Sequence, residues 1–192
     1  MHEIEPFFKW RDKYKAEEDK NSPFYRRDYS ELYYSNQVYN FLLHPQWDDI
    51  GSNTLYVKIL YCDYERQFCI IELIGEWNDC ISNDIMFLKR EVIDRLVAKG
   101  ILHFLMIGEN VLNFHFEGDD YYEEWFNDVE DGWVACINFR PHVVKEMVEN
   151  NADMYLNIGG DLDDLPWRTF EPQTFFERVN RILTFRLNPP MT

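Results

Sequence analysis

The chain has 192 residues, of which 46% are hydrophobic and 17% aromatic, and its formal net charge is −16. A chain of this size buries roughly 70% of the surface that its unfolded form exposes, so the composition excludes both a disordered protein and a disulfide-stapled miniprotein. No segment collects enough Lys and Arg to offset the negative charge, which argues against binding to nucleic acid or to an anionic membrane. We therefore expect a folded domain whose partners include neither nucleic acid nor membrane.

The sequence indicates a cytoplasmic protein. Its first 20 residues interleave charges with aromatics and lack the apolar stretch of a signal peptide. The longest apolar runs, which begin at Cys69 and Ile101, are far shorter than the ~20 residues of a membrane-spanning helix. The four cysteines show no CxxC spacing, so we predict free thiols and no metal site. Cys62, Cys69 and Cys136 are expected to behave as small hydrophobic side chains, whereas Cys80 lies in a polar loop.

Residues 1–50 differ in charge from residues 51–192. They contain 7 Lys or Arg against 10 Asp or Glu, whereas residues 51–192 contain 12 against 25. Their tyrosines and tryptophans follow no clean period, and a short helix over 6–20 is compatible with the pattern. We interpret 1–50 as an aromatic-rich arm and 51–192 as an α/β domain.

The first predicted elements of the domain are two strands and a helix. The β-rich runs TLYVKILYC and QFCIIELIG flank the polar link 63–66, which predicts an antiparallel hairpin. Ser82 can cap a helix that carries an apolar stripe from Ile85 to Leu96 and ends at Gly100. The apolar run LHFLMIG then predicts a strand covered on both faces, and the spacing predicts a right-handed βαβ unit.

The pattern then repeats along the chain. We predict a helix over 119–130, a buried strand from Trp133, a helix over 141–150, a short strand over 153–158 and a final helix over 172–187. This order predicts a single layered α/β domain, with an N-terminal hairpin, repeated helix–strand units, a mixed and mainly parallel sheet, and a C-terminal helix.

Polar residues follow the three principal strands. In open α/β sheets, ligands bind beyond the carboxyl ends of the parallel strands. Carboxylates there could act as general acid and base, and an arginine at a helix start could hold an anion. Turn formation and solvated charge are the alternative interpretation. We expect a ligand or partner site formed by Asp79, Glu109, Asn110, Asn138 and Arg140.

Signatures of catalysis are missing from the sequence. It contains no GxGxxG, GxxxxGK[ST], GxSxG or HExxH pattern, so we predict no cofactor and assign no catalytic residue. The acidic cluster over 119–131 is either a solvated helix face or a docking surface for a basic partner. These observations favour a non-catalytic protein without excluding an enzyme.

The order of elements resembles that of the STAS domain, named for sulfate transporters and anti-sigma-factor antagonists. The resemblance covers about residues 54–158 and lies in GEWND at Gly75, the helix over 84–99, HFLMIGENVLNF at His103 and WVACINFRPHVVKEMVENN at Trp133. It implies a regulatory module, which in the antagonists is controlled by phosphorylation of a serine after the central strand. The matching stretch here, GENVLNFHFEGDD, contains no serine or threonine.

Two functional hypotheses follow from the sequence. The first is a non-catalytic interaction module that docks a protein partner near residues 109–120, or that self-associates partly through residues 24–47. The second is a small-molecule-binding protein or enzyme that uses the crevice at the strand ends. A deep polar cavity at that crevice would favour the second hypothesis.

Overall fold

The fold is a five-stranded mixed sheet with helices on one face and a C-terminal helix on the other. A computed structural model describes residues 4–30 and 32–187, so residues 1–3 and 31 of the predicted arm and the last five residues of the predicted domain lie outside it. Among the described residues, none of the helices is long and apolar enough to cross a membrane.

The strands of the sheet follow one another in chain order. They are β3 (Asp48–Asp49), β4 (Leu55–Asp63), β5 (Phe68–Asn78), β6 (His103–His115) and β7 (Trp133–Ile137), after a separate hairpin of β1 (Gln37–Val38) and β2 (Phe41–Leu42). The pairs β3–β4 and β4–β5 are antiparallel, and β5–β6 and β6–β7 are parallel. The mixed sheet is therefore confirmed, with two antiparallel and two parallel pairs of neighbouring strands, of which the arm contributes the β3–β4 pair. The order of these strands never reverses.

The helices that follow β5, β6 and β7 cover one face of the sheet. They are α1 (Asp79–Ser82), α2 (Asp84–Leu88), a π-helical turn (Lys89–Ile93), α3 (Asp94–Val97), α4 (Asp120–Asp128) and α5 (Pro141–Glu149). Their apolar residues join the inward side chains of the sheet in one buried cluster. Because β5, β6 and β7 follow one another across the sheet in one direction, crossovers of the same hand place the connecting helices on the same face.

The opposite face is covered by α6 (Pro172–Leu187), by the loop over 160–170 and by the beginning of the arm. Phe175 and Val179 of α6 pack there with Trp10 and Trp167 against outward side chains of β5, β6 and β7. Because both faces are covered, every residue of β5 is buried. This explains the apolar run in the sequence.

Three local predictions were wrong. The predicted strand over 153–158 is a 3₁₀ turn (Ala152–Met154) followed by one bridge between Asn157 and Ala135. The predicted helix over 6–20 is a series of hydrogen-bonded turns. The side chain of Asn78, not Ser82, caps the first helical turn, and Asn83 adopts a left-handed conformation with φ +51° before α2 begins.

The arm is held against the sheet. β3 pairs with β4, and the Asp48 carboxylate of β3 accepts hydrogen bonds from Arg27 (2.8 Å) and Tyr29 (2.7 Å). One side of the β1–β2 hairpin is anchored by Val38 and Leu43, which are buried in a third cluster with Trp47, Tyr56 and Ile74. The hairpin is therefore a fixed part of the surface.

Candidate functional site

Glu109, in the middle of β6, lies at the centre of a group of polar side chains beside the carboxyl end of β7. One carboxylate oxygen, Oε1, accepts hydrogen bonds from Asn138 Nδ2 (2.9 Å) and Trp167 Nε1 (2.7 Å), and Oε2 lies 2.5 Å from Arg168. Arg140 Nε donates to the backbone oxygen of Glu109 at 3.2 Å. The structure thus brings together three of the five predicted site residues.

Asn138 joins this group to the following loop. Its amide nitrogen donates to Leu165 O and its side-chain oxygen accepts from Leu165 N, at 2.9 and 2.8 Å. The residue has φ +53°, a left-handed conformation that asparagine tolerates better than most side chains. The loop over 160–170 is thereby fixed over the middle of β6 and the carboxyl end of β7.

Glu72 is a further member of the group that the sequence analysis missed. It is 1% exposed and lies on the same face of the sheet as Glu109, two strand positions away in the register. Its carboxylate accepts a hydrogen bond from the Phe7 amide (2.8 Å) and lies 3.8 Å from Arg168. Burial raises the pKa of Glu72 to about 7, against the opposing effects of the Phe7 amide and Arg168. In the sequence, the position of this glutamate inside the apolar run CIIELIG could have identified it as a candidate site residue.

These five residues, the strand-end cluster, are Glu72, Glu109, Asn138, Trp167 and Arg168. Aromatic rings close over the cluster from the arm and the loop. Phe7 packs edge-on against Trp10 and Trp167, with ring centroids 5.0 and 4.8 Å apart. The Trp10 indole also donates to Phe170 O at 3.2 Å. The chain's own side chains therefore fill the space beside the carboxyl end of β7.

Asp79 lies apart from the strand-end cluster, contrary to the expected convergence. It begins α1, where Tyr122 of α4 donates to Oδ2 (2.6 Å) and the Ile85 amide donates to Oδ1 (2.9 Å). Burial raises the pKa of Asp79 to about 6. Its contacts connect α1, α2 and α4, so the side chain has a structural role in the helical layer.

Glu109 and Asn110 were predicted to lie in a loop, but both belong to β6. Asn110 is half-buried opposite Ile74 in the parallel register, and within the described part of the chain it makes no hydrogen bond to the strand-end cluster. The strand continues through Asn113, which donates to Glu76 Oε1 at 2.7 Å. Hydrogen bonds between polar side chains of β5 and β6 therefore accompany the parts of both strands that lie beyond their apolar runs.

The acidic cluster over 119–131 is partly neutralised by two basic residues. The buried Lys89 ammonium contacts Asp94, Glu124 (3.4 Å) and Asp128 (2.5 Å), and Arg90 binds Glu124 at 2.6 Å. Carboxylate oxygens of the three acids lie within 4.8 Å of one another, a spacing that a metal ion could bridge. Lys89 already supplies positive charge at that place.

A patch of apolar side chains is exposed on the arm. Leu32 and Tyr33 are 81% and 80% exposed. We define the hairpin surface as Leu32, Tyr33, Tyr34, Tyr39, Phe41 and Leu42, all of which are exposed. Tyr39 has φ +53° in the turn of the hairpin, and its hydroxyl donates to Glu76 at 2.5 Å.

Comparison of the sequence with protein-family models and with curated proteins found no match. The chemistry of the chain therefore has to be judged from its own residues. The strand-end cluster offers a buried carboxyl group, a second carboxylate and an arginine, which could transfer a proton and bind an anion if a ligand reached them. The hairpin surface offers aromatic area for association.

Proposed function

We propose that this protein is a non-catalytic interaction module that associates with a second copy of itself through the hairpin surface. The observation that carries the proposal is the stretch LYYSNQVYNFLL over 32–43, which contains no charged residue in a chain that is 28% charged. Six apolar side chains of this stretch are exposed. Exposed aromatic residues are typical of association surfaces.

Anchoring of the hairpin supports the proposal. Val38 and Leu43 are fully buried, Tyr56 donates to Gln37 O (3.2 Å) and Leu43 N donates to Asn36 O (2.8 Å). These contacts hold the backbone of the hairpin while the side chains of Tyr39, Phe41 and Leu42 stay exposed. A surface that is ordered before binding loses less conformational entropy when it associates.

The uncharged character of the hairpin surface fits a second copy as the occupant. The net charge of −16 makes two chains repel each other, and the repulsion is smallest where the nearly neutral arms meet. An uncharged apolar patch is also complementary to itself, as a two-fold symmetric interface requires. Both arguments point to a homodimer formed arm to arm.

The order of hairpin, helix and parallel strands supports a STAS-like assignment, and with it a regulatory role. The proposal does not include the phosphorylation control of that family, because GENVLNFHFEGDD has no hydroxyl side chain of serine or threonine. The docking region that the resemblance suggested, over 109–120, is mostly strand β6. The hairpin surface therefore replaces it as the proposed interface.

The proposal is tested by comparing two sets of substitutions during analytical gel filtration over a concentration series. Tyr33→Ser combined with Phe41→Ser removes two aromatic rings from the hairpin surface. Phe126→Ser combined with Phe185→Ser is the matched control, since both phenylalanines are exposed elsewhere. Removing one aromatic side chain from the centre of an interface weakens association by ~2 kcal/mol or more. We therefore expect the dimer of the hairpin variant to have a dissociation constant more than about tenfold higher than that of the wild type. Equal elution of the wild type and both variants at every concentration would contradict the proposal.

The second candidate is a small-molecule-binding protein or enzyme that uses the strand-end cluster. It is favoured by the buried Glu72, whose pKa lies near 7, beside Glu109 and Arg168. A ligand would have to displace the loop around Leu165 and Trp167, which now fills the crevice. If a panel of small carboxylates and phosphates raises the melting temperature, Glu109→Ala with Arg140→Ala should abolish the rise. An unchanged rise would place the ligand elsewhere.

A further inference from the structure

Two cysteine thiols face each other across the β4–β5 hairpin. Cys62 near the end of β4 and Cys69 near the start of β5 are direct partners in the antiparallel register. Their sulfur atoms lie 2.9 Å apart, with Cys62 Sγ as the donor to Cys69 Sγ. Both are free thiols, 7% and 0% exposed.

The backbone geometry suits a disulfide at this place. Directly opposed residues of an antiparallel pair have Cα atoms about 4.5–5.5 Å apart, within the range of about 4.4–6.8 Å seen for disulfides. A bond of about 2.05 Å requires the two sulfur atoms to approach by roughly 0.9 Å. Small side-chain rotations supply that movement without moving the strands.

We propose that Cys62 and Cys69 are a redox-active dithiol that forms a cross-strand disulfide with a small disulfide oxidant such as oxidised glutathione. The Cys62 thiolate attacks the oxidant, forms a mixed disulfide and releases one thiol. The Cys69 thiolate then attacks the Cys62 sulfur and releases the second thiol. The chain loses two hydrogen atoms and two electrons, and the oxidant is reduced to two thiols.

The arm controls access to this pair. Ala16 of the arm is buried in the same cluster as both cysteines, and Tyr14 and Tyr64 pack against that cluster. The hydroxyls of Tyr14 and Tyr64 both donate to Asp19 Oδ2, at 2.9 and 2.5 Å. Burial also raises the pKa of Cys69, which keeps its thiol protonated and unreactive. Oxidation therefore requires the segment over 14–19 to move away.

The test uses the full chain with Cys80→Ser, because Cys80 is the exposed thiol and would otherwise react first. The protein is incubated with oxidised glutathione, quenched with acid, and its remaining thiols are counted after denaturation and mapped by mass spectrometry. We expect two of the remaining three thiols to disappear together and one cross-linked peptide pair, Cys62 with Cys69. Cys136, which is buried elsewhere, should stay reduced.

Asp19→Ala provides the second readout. It removes the acceptor that holds Tyr14 and Tyr64, so the thiols of Cys62 and Cys69 should be oxidised several-fold faster than in the parent, while Glu18→Ala, which removes a neighbouring exposed carboxylate, should leave the rate unchanged. Single glutathione adducts that never close, or two thiols that persist in both the parent and Asp19→Ala, would overturn the proposal. Oxidation of the pair at equal rates in all three proteins would overturn the control of access by the arm.

Discussion

Burial of the Glu72 carboxyl group makes the stability of the fold depend on pH. Glu72 lies in a strand that is buried on both faces, where the protonated carboxyl is favoured and the pKa rises to about 7. Sequence patterns place a glutamate in this strand but do not show that Phe7 and Arg168, 65 and 96 positions away in the chain, become its partners. The strand-end cluster could therefore be located only in part from the sequence, through its members Glu109 and Asn138 and the adjacent Arg140.

Glu72→Gln should remove a pH dependence of stability. Between the ordinary pKa of 4.5 and the folded pKa of about 7, the folded chain keeps a proton that the unfolded chain has lost, so the free energy of unfolding falls as the pH rises. Glutamine resembles the protonated form and can still accept from the Phe7 amide. Relative to wild type, we expect the variant to gain up to about 3 kcal/mol between pH 5 and pH 8, measured by urea unfolding.

Glu177→Gln is the control for this comparison, because its carboxylate is largely exposed on α6. Its stability should follow the wild-type pH dependence. If the curve of Glu72→Gln also runs parallel to that of the wild type, Glu72 does not have the raised pKa that the structure assigns to it.

The helix from Asp84 to Val97 contains a π-helical turn that starts at Lys89. Lys89 is fully buried, and it connects this helix to α4 through Glu124 and Asp128. An apolar stripe was sufficient to predict the helix, but the stripe does not show the extra residue in the turn or the buried ammonium. π-Helical turns are uncommon, and they arise from tertiary contacts that a local pattern does not contain.

Lys89→Met should destabilise the chain much more than Arg90→Met. Removing the buried ammonium leaves three neighbouring carboxylates without their central cation, whereas Arg90 is 46% exposed. The carboxylates are themselves about a third exposed, so solvent reduces the cost. We expect a loss of about 2 kcal/mol for Lys89→Met and less than about 1 kcal/mol for Arg90→Met by urea unfolding. Equal losses would mean that the buried contacts add nothing.

β6 illustrates the limit of strand prediction. Its apolar half over 103–108 was predicted correctly, because a strand covered on both faces needs an uninterrupted apolar run. The polar half through His115 was predicted as a loop, since Glu109, Asn110 and Asn113 interrupt the run. These polar residues can lie within a strand because they form hydrogen bonds with residues of neighbouring elements, such as Glu76 and Asn138. Such partners come close only when the sheet has assembled.

The architecture of the whole molecule was predictable to the level of an α/β fold with a mixed sheet and a C-terminal helix. The hairpin over β4 and β5, the helices α4, α5 and α6, and the strands β6 and β7 were each identified from apolar periodicity and turn residues. The arm was not, because it has no period: its tryptophans and prolines pack individually into places created by the domain. Trp10 and Trp47, for example, lie in two different buried clusters.

The charge of the molecule gives the proposed dimer a distinctive salt dependence. Two chains of charge −16 repel each other, and added salt screens that repulsion while an apolar interface is little weakened. An interface held by acidic residues against basic residues would respond in the opposite direction. Self-association through the hairpin surface should therefore strengthen as the salt concentration rises.

Sedimentation velocity of the wild-type protein, over a dilution series at low and at high salt, tests the central claim most directly. We expect the weight-average mass to rise from 23.4 kDa toward twice that value with concentration, to rise at lower concentration in high salt, and to remain at 23.4 kDa for the variant with Tyr33→Ser and Phe41→Ser. A wild-type mass of 23.4 kDa at every concentration and at both salt levels would contradict the proposal that the hairpin surface joins two copies of this chain.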